Sequence, residues 1–157
     1  MLETRVLSRP PLVLIASGQE WSARALKSVL APRGYTVRFA HDGRQLVRRV
    51  HDARPDVLII EDTLPDVRAV EACRAIRSDP ELSPSTPILV TAAQPLAGNA
   101  RVEALTAGAW DIVALPINAE ELVARLNSYA HVKLEADRAR EESLLDAATG
   151  FYNMWGL

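Results

Sequence analysis

The sequence predicts an α/β fold in which a doubly wound, five-stranded parallel sheet is followed by an extended C-terminal helix. Two observations predict this fold. Five short apolar runs recur along the chain, and after each run apolar residues return at helical spacing. Most of the runs are continuously apolar, which is typical of strands that are buried on both faces of a parallel sheet. Right-handed crossovers in this βα order place helices on both faces.

The predicted strands cover residues 12–16, 36–40, 57–60, 88–92 and 112–115. The second run alternates between apolar and polar residues, which favours a place nearer the edge of the sheet. Chemistry in such sheets belongs at the carboxyl ends of the strands. The residues found at these ends are therefore the first candidates for a functional site: Ser17-Gly18, Glu61-Asp62, Thr91 and Leu115-Pro116.

Each predicted helix has a recognisable boundary. The first four are expected to end at or just before Gly34, Pro55, Pro80 and Gly108. The fifth begins at Asn118, a favourable N-cap residue, with Glu121 as its capping-box partner.

The fifth helix is predicted to continue beyond the domain. Residues 133–142 are strong helix formers with opposite charges one turn apart, as in the pair Glu135 and Arg138, and no Pro or Gly interrupts them before Gly150. We therefore expect a flexible lead-in at residues 1–10, a domain at 11–130, a helical linker at 131–145 and the start of another segment at 146–157.

The composition bounds the class of function. The 157 residues, 48% of them hydrophobic, suffice for one compact domain with a short appendage. A net charge of -2 predicts recruitment of neither nucleic acid nor an anionic membrane. A single cysteine, Cys73, excludes an internal disulfide and a cysteine-built zinc site. No segment resembles a signal peptide or a membrane span, so a cytoplasmic location is expected by default.

The segment at residues 55–65, PDVLIIEDTLP, resembles the third-strand signature of two-component response regulator receiver domains. Residues 65–77, 87–92 and 107–111 resemble the same family in order and spacing. The resemblance covers roughly residues 11–129. It implies a flavodoxin-like sheet with strand order 2-1-3-4-5.

Receiver domains accept a phosphoryl group on an aspartate at the end of the third strand, beside a Mg²⁺ ion that this aspartate and an acidic pair hold. The resemblance places Glu61 at the acceptor position and Ser17 and Gly18 at the acidic pair. Neither of the latter residues offers the carboxylate that Mg²⁺ prefers. The longer Glu61 side chain also moves its carboxylate by about 1.5 Å, one bond length. Binding of Mg²⁺ is therefore predicted to be lost, and no other cofactor is expected.

The remaining pocket positions differ from the family as well. Leu115 stands where the family has a lysine that neutralises the phosphoryl oxygens, and Ile112 occupies the aromatic switch position, whereas Thr91 matches the family's hydroxyl residue. Phosphoryl transfer depends on positioning and on cations around the phosphoryl oxygens, so these differences predict a pocket that is not phosphorylated. Glu61 is then either a permanent mimic of the phosphorylated state, reaching toward Thr91 or Ser17, or a relic.

Residues 146–153, DAATGFYN, resemble the opening of GGDEF-type diguanylate cyclase domains, with departures at Ala148 and at Met154-Trp155. This second resemblance implies that the chain is the sensor part of a longer protein that has a C-terminal output domain. The chain contains no GGDEF catalytic loop, so the chain itself is not expected to be an enzyme.

These observations lead to three hypotheses for the function. The first is a pseudo-receiver that acts through protein contacts, as a homodimer or with another signalling protein, and transmits its state along the fifth helix. Family resemblance suggests an interface on the fourth helix, fifth strand and fifth helix, near Trp110. The second is a working phosphoacceptor that uses Asp62 or Glu61. The third is a small-molecule sensor with an apolar pocket lined by Leu115 and Thr91.

Overall fold

The computed structural model describes residues 10–81 and 84–156, with the backbone alone for residue 146 and residues 148–156. Five parallel strands form one sheet in the order β2-β1-β3-β4-β5. The strands are β1 (Leu12–Ala16), β2 (Thr36–Ala40), β3 (Val57–Glu61), β4 (Ile88–Ala92) and β5 (Asp111–Ala114). The predicted fold class and strand order are confirmed.

A helix follows each strand, and the helices cover both faces of the sheet. They are α1 (Glu20–Leu30), α2 (Gly43–Ala53), α3 (Ala69–Arg77), α4 (Gly98–Ala107) and α5 (Ala119–Gly156), with a 3₁₀ turn at Ala31–Arg33 after α1. The predicted helix ends are confirmed, since α2 and α3 end at Ala53 and Arg77, shortly before Pro55 and Pro80. Gly34, after the 3₁₀ turn, and Gly108, after α4, adopt left-handed φ angles of 93° and 118°. Two strand boundaries differ by one residue: β3 extends to Glu61, and β5 spans 111–114 instead of 112–115.

The sheet separates two apolar cores, which explains the continuous apolar runs. Leu58 and Ile60 face the core beneath α2, α3 and α4, whereas Ile59, between them, faces the core beneath α1 and α5. Alternate residues of a strand point to opposite faces, so a central strand needs apolar residues at every position. The mixed pattern of β2 is accounted for by its place at the edge of the sheet.

The first turns of α5 anchor this helix to the domain. The Asn118 side chain accepts hydrogen bonds from the backbone N–H groups of Glu120 and Glu121, at 2.9 and 3.1 Å, which confirms the predicted N-cap. The Glu121 carboxylate lies 3.4 Å from Arg125 Nε. Leu126 is fully buried against the sheet. The start of α5 is therefore fixed at the carboxyl edge of the sheet.

Beyond the domain, α5 continues as one helix to Gly156. No helix end marks the boundary that was predicted at 145/146, so this domain boundary stays a prediction. The side chains at residues 148–153, which carry most of the GGDEF resemblance, lie outside the described part, as does the predicted lead-in over residues 1–9. In the described ranges, no helix is both long and apolar enough to cross a membrane.

Candidate functional site

The carboxyl ends of β1, β3 and β4 bring together three of the predicted site residues. Glu61 is in register with Thr91 of the neighbouring strand, and Ser17 directly follows β1 on the other side of β3. Ser17 and Thr91 are buried, and Glu61 is half-buried. The structure therefore places these three side chains together at the carboxyl edge of the sheet; that they form a functional site stays a prediction.

Glu61 reaches toward β1, where its carboxylate forms a hydrogen bond with Ser17. The Ser17 hydroxyl donates to Glu61 Oε2 at 2.7 Å and accepts from the backbone N–H of Gln19 at 3.0 Å. The backbone of Ser17 is held in turn by donation to the Ala40 carbonyl at 3.0 Å. No described residue donates to the second oxygen, Oε1, and no described basic side chain forms an ion pair with Glu61. Among the described residues, the Glu61 carboxylate therefore has one neutral hydrogen-bond partner, Ser17, and no positively charged partner.

Gly18 lies against the loop that follows β3. A Cβ atom at this position would be 2.9 Å from both Cδ and Cγ of Pro65, which is too close without a shift of the loop. The absence of a side chain at Gly18 is thus required by its packing, as well as being a departure from the family's acidic pair.

Asp62 is positioned by its backbone. Its N–H donates to the Thr91 carbonyl at 2.7 Å, and its own carbonyl accepts from Ala69 N–H, the first residue of α3, at 2.8 Å. These two hydrogen bonds fix the Asp62 backbone to β4 and to the start of α3. Glu61, not Asp62, is the residue whose carboxylate contacts Ser17 and lines the groove described next.

A groove of about 350 Å³ opens beside this pocket, between α1 and the start of α5. Glu61 and Thr91 line it together with mostly apolar residues, among them Trp21, Ala25, Val29, Ala92, Leu115, Pro116, Ile117 and Leu122. Leu115 is held by donation of its N–H to the Ala92 carbonyl at 2.8 Å. An aliphatic side chain therefore lines the groove where the family resemblance calls for an ammonium group.

Ile112, at the predicted switch position, is buried in the core beneath α3 and α4. Trp110 is half-buried and packs edge-on against Tyr129 of α5, with ring centroids 5.8 Å apart. The Trp110 ring is thus partly buried by packing within the domain. The Tyr129 hydroxyl donates to Asp111 Oδ2 at 2.6 Å, and Arg125 pairs with the same carboxylate. Burial, with this hydrogen bond, raises the pKa of Tyr129.

The positions that correspond to the family's acidic pair offer no carboxylate for a Mg²⁺ ion. Mg²⁺ binding sites in proteins use carboxylates with near-octahedral geometry, whereas Ser17 offers a hydroxyl already engaged with Glu61 and Gly18 offers no side chain. Across the described ranges, the only cluster of three potential metal-ligating side chains is His51, Asp79 and Glu81, at the ends of α2 and α3. Whether the pocket binds Mg²⁺ stays a prediction.

One residue that the sequence reasoning missed links the β3–α3 loop to α2. The Asp66 carboxylate accepts hydrogen bonds from the backbone N–H groups of Gly43 and Arg44, at 2.7 and 3.0 Å. The N–H groups of the first turn of a helix have no partner within that helix. Asp66 supplies the partner for α2 from a position 23 residues away in sequence. The bond from Gly43 is the main cause of a lowered pKa of Asp66. No local motif predicts a cap supplied from another loop.

Replacement of Asp66 by asparagine tests this cap. A lowered pKa means that the ionised carboxylate stabilises the fold above the unfolded value of 3.8, and that this contribution is lost as the pH falls through the lower folded value. We expect Asp66→Asn to lower the Tm at neutral pH, with the difference from the parent shrinking below pH 3.8. Thermal unfolding, followed by circular dichroism at several pH values between about pH 7 and pH 3, measures the Tm difference between the variant and the parent.

Glu20→Gln is the matched control, since Glu20 pairs with Arg24 on the exposed surface of α1 and with no other residue in the described ranges. A Tm difference for Asp66→Asn that is constant across the pH range would contradict an ionised cap.

Comparison with known proteins agrees with this geometry. A family model described as the response regulator receiver domain matches residues 13–127. Response regulator MprA of Mycobacterium ulcerans (strain Agy99) is 34% identical over 130 residues, which are 82% of this chain and 54% of that protein. The chain therefore spans about half the length of this curated relative.

Solved structures agree as well. A protein assigned as a response regulator from Chloroflexus aurantiacus J-10-fl is 32% identical, with a TM-score of 0.73 over 78% of this chain and 99% of that one. Chemotaxis response regulator CheY4 of Vibrio cholerae is 26% identical, with a TM-score of 0.69 over 76% of this chain and 98% of that one. The extent of the family match, together with the sheet order and the site at the ends of β1, β3 and β4, shows that this chain belongs to the response regulator receiver domain family of two-component signalling.

Proposed function

We propose that this chain is a receiver domain that signals through protein contacts without being phosphorylated. The observation that carries the proposal is the Glu61 carboxylate, which contacts the Ser17 hydroxyl at 2.7 Å in the pocket where the family has a metal ion and a lysine. The neutral Ser17 hydroxyl donates a hydrogen bond to Glu61 Oε2, and the aliphatic side chain of Leu115 lines the adjoining groove.

The charges around the pocket argue against phosphoryl transfer. A transferred phosphoryl group carries negative charge on its peripheral oxygens and needs cations nearby. Among the described residues, no lysine or arginine pairs with Glu61, and Ser17, Gly18 and Leu115 supply neither charge nor metal ligands. An incoming phosphoryl group would therefore meet the Glu61 carboxylate and neutral hydroxyls at this edge of the sheet, with no cation from the described residues, which is unfavourable.

The path of α5 supports transmission of a signal away from this pocket. Its first turn contributes Ala119 and Leu122 to the groove beside Glu61, and the whole helix spans 38 residues, from Ala119 to Gly156. Within the domain, Tyr35 donates to Asn127 and both Arg125 and Tyr129 contact Asp111. A shift at the groove would therefore move the start of a helix whose later turns contact the domain again, where Arg140 donates to the Ser85 hydroxyl.

The dimer interface that we propose lies on α4, β5 and α5. Val102 and Leu105 are 61% and 44% exposed, and their spacing of three residues places them on one side of α4. The ion pair of Asp111 with Arg125 links the edge strand β5 to α5. An apolar centre with a rim of both charge signs is the arrangement that protein interfaces use.

The output in this proposal is a C-terminal domain of GGDEF type in a longer cytoplasmic protein. Support comes from the uninterrupted α5 and from the residues at 146–153. The curated relative is also about twice as long as the region that this chain matches. The dimer would hold two such output domains in a fixed geometry through the paired α5 helices.

Titration with Mg²⁺ tests the loss of the metal site. Trp21 lines the groove beside Glu61 and is 73% exposed, so its fluorescence reports on a cation bound there. We expect MgCl₂ to leave the emission unchanged relative to an equal ionic strength of NaCl. The Trp21→Phe variant identifies the share of the signal that comes from this residue. A saturable change that needs Trp21 and is abolished by Glu61→Gln would contradict the proposal.

A further inference from the structure

The groove beside Glu61 has the size and the lining of a small-molecule site. Its volume of about 350 Å³ falls within the range of ligand pockets, roughly 300–1,000 Å³. Most of its lining is apolar, whereas Glu61 and Thr91 supply polar groups at the strand ends. Small-molecule sites combine these features: an apolar wall that binds the body of the ligand and a few polar groups that orient it.

The charge in the groove selects the class of ligand. Glu61 Oε2 accepts from Ser17, but no described residue donates to Oε1, and no described cation pairs with the carboxylate. A half-buried carboxylate without a counter-charge favours a cationic partner, because partial burial removes water that would otherwise solvate the charge. A phosphate or a carboxylate ligand would be repelled at the same place.

Two further features favour an organic cation over a metal ion. Apart from Glu61, the lining holds no carboxylate: its oxygen-bearing side chains are the neutral Gln19, Ser22 and Thr91, and most of the rest are apolar, such as Leu115, Ile117 and Val29. The Trp21 ring lines the groove and is 73% exposed, and an indole is the aromatic side chain that attracts organic ammonium groups most strongly.

We infer that this groove binds a small amine with a compact apolar body, whose ammonium group contacts Glu61 and whose body lies against Leu115 and Ile117. The ligand supplies the positive charge that this pocket lacks. This inference gives the proposed phosphorylation-independent receiver an input, and it rests on that proposal because an ammonium group and a phosphoryl group would compete for one pocket.

The position of the groove also connects the ligand to the output helix. Leu115, Pro116 and Ile117 form the connection between β5 and α5, and Ala119 and Leu122 lie in the first turn of α5. A bound amine would contact these residues directly. Its effect on the α5 extension is therefore mechanical, through the start of the helix.

Three probes with one apolar body separate charge from shape: phenethylammonium, 2-phenylethanol and phenylacetate. Isothermal titration calorimetry and thermal shift on the full chain are the measurements. We expect phenethylammonium to bind about 10-fold or more tightly than 2-phenylethanol, since a bond to a charged group adds over 1.4 kcal/mol, a factor of ten. Phenylacetate should not bind. Trp21 emission should shift with phenethylammonium.

Two variants and a matched control locate the site. Glu61→Gln should abolish the preference for the amine over the alcohol while keeping weak binding of both. Ala25→Phe fills one wall of the groove and should remove binding of all the probes. Ala75→Phe makes the same change at an exposed position of α3, on the other face of the sheet, and should leave binding unchanged.

The outcomes are distinct. Equal binding of the three probes, binding that survives Ala25→Phe, or no binding of phenethylammonium to the folded chain would overturn the inference. Self-association that shields Trp21 would show a second copy as the occupant and overturn it as well. The proposed function is tested independently of the amine site. A phosphoryl group gained by the chain in the absence of amines would contradict the proposed function, whatever the binding of the three probes.

Discussion

Leu126→Ala is expected to lower the free energy of unfolding by about 2–5 kcal/mol, the range for a leucine that is fully buried. Leu126 is 0% exposed and belongs to the core that joins α5 to α1 and the sheet. The substitution removes apolar contacts and leaves a cavity, because the neighbouring side chains are fixed by the strands beneath them. Denaturation by urea, followed by circular dichroism, measures the change.

Leu144→Ala provides a control on the same helix, because Leu144 is 70% exposed on a later turn of α5. We expect this variant to change stability by no more than about 0.5 kcal/mol. Similar losses in the two variants would contradict a helix whose first turns belong to the core and whose Leu144 side chain is exposed.

A double substitution on α4, Val102→Glu with Leu105→Glu, is expected to convert a dimer into a monomer. The two side chains form the exposed apolar pair at the centre of the proposed interface. Two buried carboxylates facing their symmetry mates would weaken association by about 100-fold or more, the effect of losing two central interface contacts. Light scattering after size exclusion, over a series of concentrations, measures the mass.

Trp21→Glu serves as the control, since Trp21 is more exposed than either residue but lies on α1. This variant should keep the parent mass. A parent protein with the mass of one chain at every concentration would contradict the dimer, and an unchanged dimer in the α4 variant would place the interface elsewhere.

Much of the fold could be predicted from the residues because burial on both faces of a strand leaves a pattern in the sequence. The continuous run at 57–60 is an example: Leu58 and Ile60 face one core and Ile59 faces the other. The helix ends were predictable for a similar reason, since Gly34 and Gly108 adopt backbone angles that other residues avoid. Element boundaries shifted by a single residue at β3 and β5.

The site could be predicted in part, because parallel strands deliver their carboxyl ends to one edge. Ser17, Glu61 and Thr91 meet there as expected. The cap that Asp66 provides to α2 depends on how one loop lies across another helix, and no periodicity records that. The volume of the groove could not be predicted either, because it depends on the spacing between α1 and the start of α5.

The charge network at β5 and α5 was also missed. Asp111, Arg125 and Tyr129 are separated by up to 18 residues and read individually as surface polar residues. Their contact depends on the antiparallel course of α5 along β5. Such contacts between elements become visible only when the packing geometry is known.

Incubation with Mg²⁺ and acetyl phosphate, followed by intact-mass measurement, tests most directly whether the pocket accepts a phosphoryl group. The account predicts the mass of the unmodified chain at every time point, for the parent as for Glu61→Gln and Asp62→Asn. A stable gain of one phosphoryl group by the parent that is lost in either variant would contradict it and would identify a conventional receiver.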